Sequence, residues 1–410
     1  MDVGPQLRRI PAVDLDAVES DPRLAGLARD EIERNGPMTF ARFMEMALYD
    51  PESGYYRAES ARPGRGGDFL TAPEANPIFG RALARHVADV WQAIGKPAAF
   101  AIREHGAGSG SLARAVLDGL AAEAPALYRI VGYRAVEVEA RRLAELRDRL
   151  SAAGHADRLE SDDDGPIVGI VVANEVLDAL PTHRVVGAEA AAGADADAGR
   201  RDLSEIFVDW RDGDFVDVVG RPSSEALGER LAAEGVALRP GQRAEICLAV
   251  DGWVENAAAG LERGAALFID YGYPAAELYD PVRRPRGTLA AYLGQRAHED
   301  PYRAVGRQDL TAHVDTTAVE RAAARAGLTH RATTTQTRFL AGLGAGDLLV
   351  ELQTGPDASL QRYLDARASL VRMIDPAAMG RFRVMAFERD IAADARFRGL
   401  DGAPTIGNTP

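Results

Sequence analysis

Glu104-His105-Gly106-Ala107-Gly108-Ser109-Gly110 (residues 104–110) is the stretch that decides the fold. It follows a short apolar strand, Ala99–Ile102, and opens a helix whose Leu112, Val116, Leu117 and Leu120 share one face. Glycines allow a tight turn and let backbone N–H groups approach a ligand. Alone, such a turn can be merely structural. Two acids sharpen it. Glu104 stands just before the glycines, where a carboxylate can accept from an amino group. Glu137 ends the next strand, Tyr133–Val136, where an acid can grip both hydroxyls of a ribose. The spacing is G-x-G-x-G, not the dinucleotide G-x-G-x-x-G. S-adenosylmethionine has no pyrophosphate to cradle, so the departure favours it over NAD. The pattern therefore points first to a methyltransferase. A nucleotide-dependent oxidoreductase and a plain βα turn remain open.

Outward from this loop the chain alternates. Residues 140–150 read as a charged amphipathic helix. Ile167–Ala173, ending at Asn174, is a continuous apolar run of the kind buried on both faces of a parallel sheet. Ala265–Ile269 is another such strand, ending at Asp270-Tyr271-Gly272. Strands and helices of this size imply a parallel α/β sheet. Towards the N-terminus, residues 21–48 read as helical, with a pause at Asn35-Gly36-Pro37 and Thr39 as N-cap of Phe40–Leu48. Residues 49–76 read as loop, and Pro77–Ile94 as a further helix. Residues 187–199 are low-complexity. Ile206–Trp210 and Phe215–Val219, joined through Asp212-Gly213, predict a β-hairpin. The final third mixes helices with short strands, including Phe382–Phe387.

The 48 basic and 62 acidic residues leave a net charge of −14, which argues against a broad phosphate-binding surface and hence a nucleic-acid partner. Acidity fits a basic substrate, though it also simply aids solubility. Cys247, the single cysteine, excludes an internal disulfide and is expected in the core. The seven histidines show no zinc-ligand spacing, so no structural metal is expected. Neither a signal core nor a membrane-length apolar run is present, so the expected location is the cytoplasm. Lys96 is the only lysine, a bias suggesting a GC-rich bacterial genome.

Seven blocks carry a resemblance. They are GPMTFARFMEMALYDPESGYY (36–56), GGDFLTAPEANPIFG (66–80), EHGAGSGSL (104–112), ANEVLDALP (173–181), FIDYG (268–272), DLTAHVD (309–315) and MGRFRVMAF (379–387). In this order they resemble the MidA-like methyltransferases, whose mitochondrial members are the complex I assembly arginine methyltransferases. The chain departs from that family at Ala107 and Ser109, where a proline and an arginine are usual, at His105 for leucine, and at Val176-Leu177 for two aromatics. The resemblance implies S-adenosyl-L-methionine as cofactor. It implies an α/β fold with a Rossmann-like class I methyltransferase sheet, an N-terminal helical segment, and an inserted and C-terminal α+β substrate lobe. The expected division is residues 1–95 for the helical segment and lid loop, 96–275 for the core with a hairpin insertion near 187–245, 276–395 for the substrate lobe and sheet-completing region, and 396–410 for a flexible tail.

An arginine acceptor sets a chemical problem. Its guanidinium is charged, with a pKa above ~12, and is a poor nucleophile. Paired carboxylates can hold the fork and polarise one nitrogen. Glu175 and Asp178 lie where a strand leaves the sheet, at the ligand edge of an open α/β fold. Glu175 is assigned to the guanidinium, Asp178 as the orienting second acid or a cap, and Asn174 to the cofactor side. Gly106, Gly108, Gly110, Glu104 and Glu137 complete the cofactor set. Gly67, Asp68, Phe69 and Thr71 are expected as lid contacts to the cofactor, with Pro73, Glu74 and Tyr271 in the substrate pocket. The alternative for the lid is a surface turn, and for Tyr271 simple packing. His313 is assigned to accept a proton or orient the substrate, or else is structural. Asp309, beside His313, has the alternative of capping a helix that it begins, and His105 is expected to face helix or solvent. The partner is then a protein presenting an arginine, in the manner of a respiratory-complex subunit, with symmetric dimethylation one outcome and a homodimer one assembly. The competing readings are a small-molecule methyltransferase and a non-catalytic assembly factor that binds the cofactor.

Overall fold

The computed structural model describes residues 18–57, 77–161, 165–188, 203–294, 296–354 and 359–401. Its central sheet has six strands: β1 Phe100–His105, β2 Val131–Val136, β3 Ile167–Asn174, β4 Leu261–Asp270, β5 Thr329–Thr335 and β6 Arg383–Arg389. Their spatial order is β5-β6-β4-β3-β1-β2. β1, β2, β3 and β4 run parallel, and β6 is antiparallel to both β4 and β5. The fold is thus mixed α/β, as the alternation implied.

Why the middle strands are apolar throughout follows from the period of two along a strand. Ile170 and Val172 of β3, with Leu267 and Ile269 of β4, face one apolar layer built on the helices Pro77–Ala93 and Ser111–Glu123. Val171, Ala173, Ala266 and Phe268 face the other, built on Ala249–Ala258 and Thr316–Arg325. Both faces are covered, so neither set can be polar.

β1 pairs with β2 on one side and β3 on the other. The chain therefore reverses direction across the sheet at β1, and a crevice opens beyond the carboxyl ends there. Register sets Val136 and Ala173 level with His105, and Asn174 level with Ile269. Glu137, Glu175 and Asp270 consequently emerge together at this one edge.

A second, antiparallel sheet stands beside it. Leu203–Arg211 pairs with Met38–Thr39, His183–Gly187 and Asp214–Gly220, and His183–Gly187 pairs with Arg243–Ile246. The expected hairpin is here. Asp212 and Gly213 both take positive φ, 54° and 95°, the two-residue turn whose twist suits paired strands. The helices Pro22–Asn35 and Phe40–Tyr49 pack on this sheet through Leu24, Phe40 and Phe43 against Val208. Thr39 caps the second helix, its hydroxyl accepting from Arg42 N at 3.1 Å. Asp309 does not cap a helix. It lies in the strand Asp309–Thr311, and the following helix, Thr316–Arg325, is capped by Asp315, which accepts from Thr317 N and Ala318 N. Cys247 is half-buried, its thiol directed at the Pro181 carbonyl, 3.5 Å away.

No helix among the described residues is long and apolar enough to cross a membrane. Among them there is also no group of three or more His, Cys, Asp or Glu side chains placed to hold a metal.

Phe268 is fully buried and lies edge-on to Trp253, with ring centroids 5.5 Å apart, and 5.7 Å from Phe387. Phe268→Ala is expected to lower the unfolding free energy by about 3–5 kcal/mol in urea titration. A loss under about 1 kcal/mol would mean this layer is not the load of the sheet.

Candidate active site

At the crevice lies a cavity of about 530 Å³. Its floor is the glycine loop. Gly106, Gly108 and Gly110 have φ of 68°, 52° and 81°, a region costly for other residues. A Cβ at Gly106 would meet Val176, and one at Gly110 would meet Leu146, each at 2.6 Å. At Gly108 a Cβ would meet no atom of the described residues within 4 Å beyond its chain neighbours. That glycine faces the open space of the cavity.

The acids are arranged in two tiers. Glu137 accepts from Gly108 N at 2.8 Å and from Glu139 N at 3.1 Å, which fixes its carboxylate at the lip of β2. Glu104 sits deeper, 3 % exposed, and accepts from the Tyr133 hydroxyl at 2.7 Å. Burial pushes Glu104 up to about 8; the Tyr133 bond opposes this and the Glu137 charge adds to it. Asn174 gives an N–H to Glu175 at 3.0 Å, while its Oδ1 is buried with no hydrogen-bond partner among the described residues. An orphaned acceptor in a cavity wall fits a ligand that donates.

The far end of the cavity is built by a turn. Glu175 takes φ +56°, unusual for a residue with a side chain and worth about 1–3 kcal/mol of strain. Asp270, 1 % exposed at the end of β4, holds the turn in place. Its Oδ2 accepts from Val176 N at 3.0 Å, Leu177 N at 2.7 Å and Asp178 N at 3.3 Å, and its Oδ1 from Tyr271 N at 2.7 Å. Burial raises Asp270 to about 6 against these four amides. Asp178 is raised further, by burial and by Asp270, Asp309 and Glu175 around it. Glu175, Asp178 and Asp309 all line the cavity.

A tyrosine wall closes that end. Tyr56 donates to Asp309 Oδ1 at 2.8 Å and stacks on Tyr49, whose hydroxyl donates to the Ala179 carbonyl at 2.9 Å. Arg142 lies over Tyr56, 5.8 Å from its centroid, and Trp253 closes the side next to His105, 5.5 Å away.

Of the residues singled out in the sequence, Glu104, Gly106, Gly108, Glu137, Asn174, Glu175 and Asp178 line this one cavity, and Gly110 shapes its floor. Tyr271 and His313 do not line it; they pack on each other, ring centroids 4.3 Å apart, behind the Asp270 turn. Tyr271 points away because its backbone continues β4 past the crevice, pairing through its carbonyl with Val314 N. His105 faces a helix, as expected, its ring meeting Trp253 of Ala249–Ala258, and it also lines the cavity. Gly67, Asp68, Phe69, Thr71, Pro73 and Glu74 lie outside the described residues. Asp270, Tyr49, Tyr56, Arg142 and Trp253 were missed. Asp270 carried a usable signal, a lone acid ending a buried apolar strand. The others arrive from distant segments and carried none.

Residues 82–334 match the family model described as "Putative S-adenosyl-L-methionine-dependent methyltransferase". The chain belongs to this family, the MidA-like methyltransferases. It is an S-adenosylmethionine-dependent methyltransferase. It is 27% identical to the mitochondrial protein arginine methyltransferase NDUFAF7 homolog of Drosophila melanogaster, over 94% of this chain and 88% of the relative. It is also 27% identical to the mitochondrial protein arginine methyltransferase NDUFAF7 of Danio rerio, over 85% and 83%. A crystal structure of a candidate methyl transferase from Burkholderia thailandensis, bound to S-adenosyl-homocysteine, superposes with a TM-score of 0.82 at 35% identity, covering 93% of this chain and 95% of that one.

Glu104 links this methyltransferase's stability to pH. The folded state keeps a proton on Glu104 up to about 8, whereas an ordinary glutamate releases it near 4.5. Folding therefore binds a proton between these values, and this group's contribution to stability falls as pH rises through them. In denaturant titrations without cofactor, Glu104→Gln is expected to flatten the decline between about pH 5 and 8. Parallel wild-type and variant curves would contradict the buried, protonated carboxyl.

Proposed function

We propose that this methyltransferase modifies a guanidino nitrogen of an arginine side chain in a partner protein, on a Rossmann-like class I sheet. The observation that carries the reading is the acid end of the cavity, where Glu175, Asp178 and Asp309 converge inside a tyrosine wall. Three carboxyls crowded away from water repel one another, and Asp178 is driven towards its neutral form. A cation entering there relieves the repulsion, and a planar guanidinium can meet two of them at once. The names of the curated relatives support the same acceptor.

In this proposal the glycine loop and Asn174 hold the cofactor, with Glu104 accepting its amino group and Glu137 its ribose hydroxyls. The cofactor supplies a methyl group on a sulfonium. Glu175 grips the guanidinium and, with Asp178, turns one nitrogen towards that methyl, which is a matter of geometry realised most fully in the transition state. Methylated arginine remains a cation, so one proton leaves the nitrogen; the bound guanidinium displaces the proton that Asp178 holds in the empty site, and the Asp178 carboxylate so formed is the group placed to take the one released. Symmetric dimethylation and a respiratory-complex subunit as partner belong to the same proposal. So does a cytoplasmic location in a bacterium, set against relatives that are named mitochondrial.

Two substitutions separate cofactor from acceptor. Gly108→Val, which puts a side chain into open space of the cavity and strains a backbone at φ +52°, is expected to weaken S-adenosyl-homocysteine binding by about 10-fold or more in calorimetry. Glu175→Gln keeps the shape and removes the charge. It is expected to leave that binding nearly intact and to lower turnover by about 10²-fold or more with an arginine-bearing protein substrate. Near-normal turnover in Glu175→Gln would sink the role of Glu175. Loss of cofactor binding instead would move it to the cofactor side.

A further inference from the structure

Behind the Asp270 turn four segments of chain, one of them carrying His313, bring together an aromatic and cationic platform. Tyr271 and Tyr273 follow β4, Arg284 comes from the loop after the short helix Ala275–Leu278, and Arg381 ends the turn before β6. The rings of Tyr271, Tyr273 and His313 contact one another, with centroids 4.3, 5.6 and 6.3 Å apart. Arg284 lies 3.8 Å over the centroid of Tyr273, and Arg381 4.7 Å over that of Tyr271. Stacking of this kind fixes a guanidinium's plane while leaving its N–H edge available.

These two arginines differ from their neighbour. Arg383 stands 3.8 Å from the Glu277 carboxylate. Arg284 donates to the Glu277 carbonyl and feels the exposed Asp280 carboxylate at longer range, and among the described residues no ion pair within 4 Å engages Arg284 or Arg381. No negative charge is contributed by the ring between them. Burial and the two guanidiniums push His313 down to about 3, so it is neutral at physiological pH, and its Nδ1 is buried without a hydrogen-bond partner among the described residues. The result is two fixed positive charges on one rigid surface, in a chain whose net charge is −14.

The platform is continuous with the acid end of the cavity. Tyr271 is the residue after Asp270 and gives its amide to it. His313 shares a small cavity with Asp178. Half-buried Tyr292 feels the charges of both Asp178 and Arg381. A cation-holding pocket and an anion-holding surface therefore stand side by side.

We propose that Arg284 and Arg381 form a carboxylate subsite, which takes an acidic side chain of the protein substrate close in sequence to the arginine held at Glu175. The second half rests on the arginine reading above; the carboxylate subsite itself does not. Two guanidinium edges meet a carboxylate with charge-assisted, paired hydrogen bonds. The subsite then selects among arginines by rewarding those with an acid nearby, through charge-assisted contacts to half-buried Arg284 and exposed Arg381 that the rest do not make.

The test uses the full chain and a fluorescein-labelled peptide of alternating Glu and Gly that contains no arginine. Anisotropy is read at low ionic strength, with the Gln–Gly peptide as control. The Glu peptide is expected to bind at least about 10-fold more tightly than its Gln counterpart, and Arg284→Ala/Arg381→Ala is expected to erase that difference. S-adenosyl-homocysteine binding should be unchanged in the double variant, which shows that it folds. Should the double variant not retain that binding, Arg284→Gln/Arg381→Gln, which keeps the stacked side chains, is read in its place. Equal binding by wild type and variant, or no preference for the Glu peptide, would overturn the subsite. Displacement by free glutamate at equal carboxylate concentration would overturn a protein as its source. Because neither arginine nor methyl transfer enters the readout, failure of the arginine reading is seen separately, as absence of turnover on arginine.

Discussion

Four backbone amides converge on the carboxylate of Asp270, and the crevice takes its shape from that contact. An acid with 1 % exposure would ordinarily be expensive to bury. Here Val176, Leu177, Asp178 and Tyr271 replace its water. Charge-assisted bonds of this kind contribute about 1.5–3 kcal/mol each, enough to offset the strained backbone at Glu175. The same contact joins the ends of β3 and β4, so the sheet and the site are a single object. It also turns the chain so that Glu175 and Asp178 reach the cavity from one short loop.

Legibility in the sequence followed the range of the interactions. The parallel strands were readable because burial on both faces forces an uninterrupted apolar run, as in Ile167–Ala173. The hairpin was readable because Asp212-Gly213 satisfies a local demand for positive φ. Glu104, Glu137 and the glycines were readable because a βα turn places its ligands within a few residues of strand ends. Tyr49, Tyr56, Arg142 and Trp253 were not, since their meeting depends on how remote helices dock. Asp309 shows the limit well. A local rule offered it as a cap, whereas the folded chain makes it the acceptor of Tyr56, 253 residues away. Tyr271 was grouped with the cavity on its position at a strand end and His313 on the resemblance and its chemistry, whereas in the folded chain the two rings pack on each other behind the Asp270 turn.

Charge in this protein is sorted rather than spread. Acids gather along the cavity wall, and burial first, with the charge of neighbouring acids added to it, raises the proton affinities of Glu104 and Asp178. Arginines without ion pairs sit on tyrosines just outside. Such an arrangement costs folding free energy in the empty protein and is repaid by ligands of matching charge, the usual bargain of a preorganised site.

The most direct test of the account is a crystal structure of the protein with S-adenosyl-homocysteine. The ribose hydroxyls are expected on Glu137, the amino group towards Glu104, and the sulfur facing the Glu175–Asp178 turn across open cavity. A ligand lying with its adenosine against Glu175 and Asp178, or bound away from the Gly106–Gly110 loop, would contradict it.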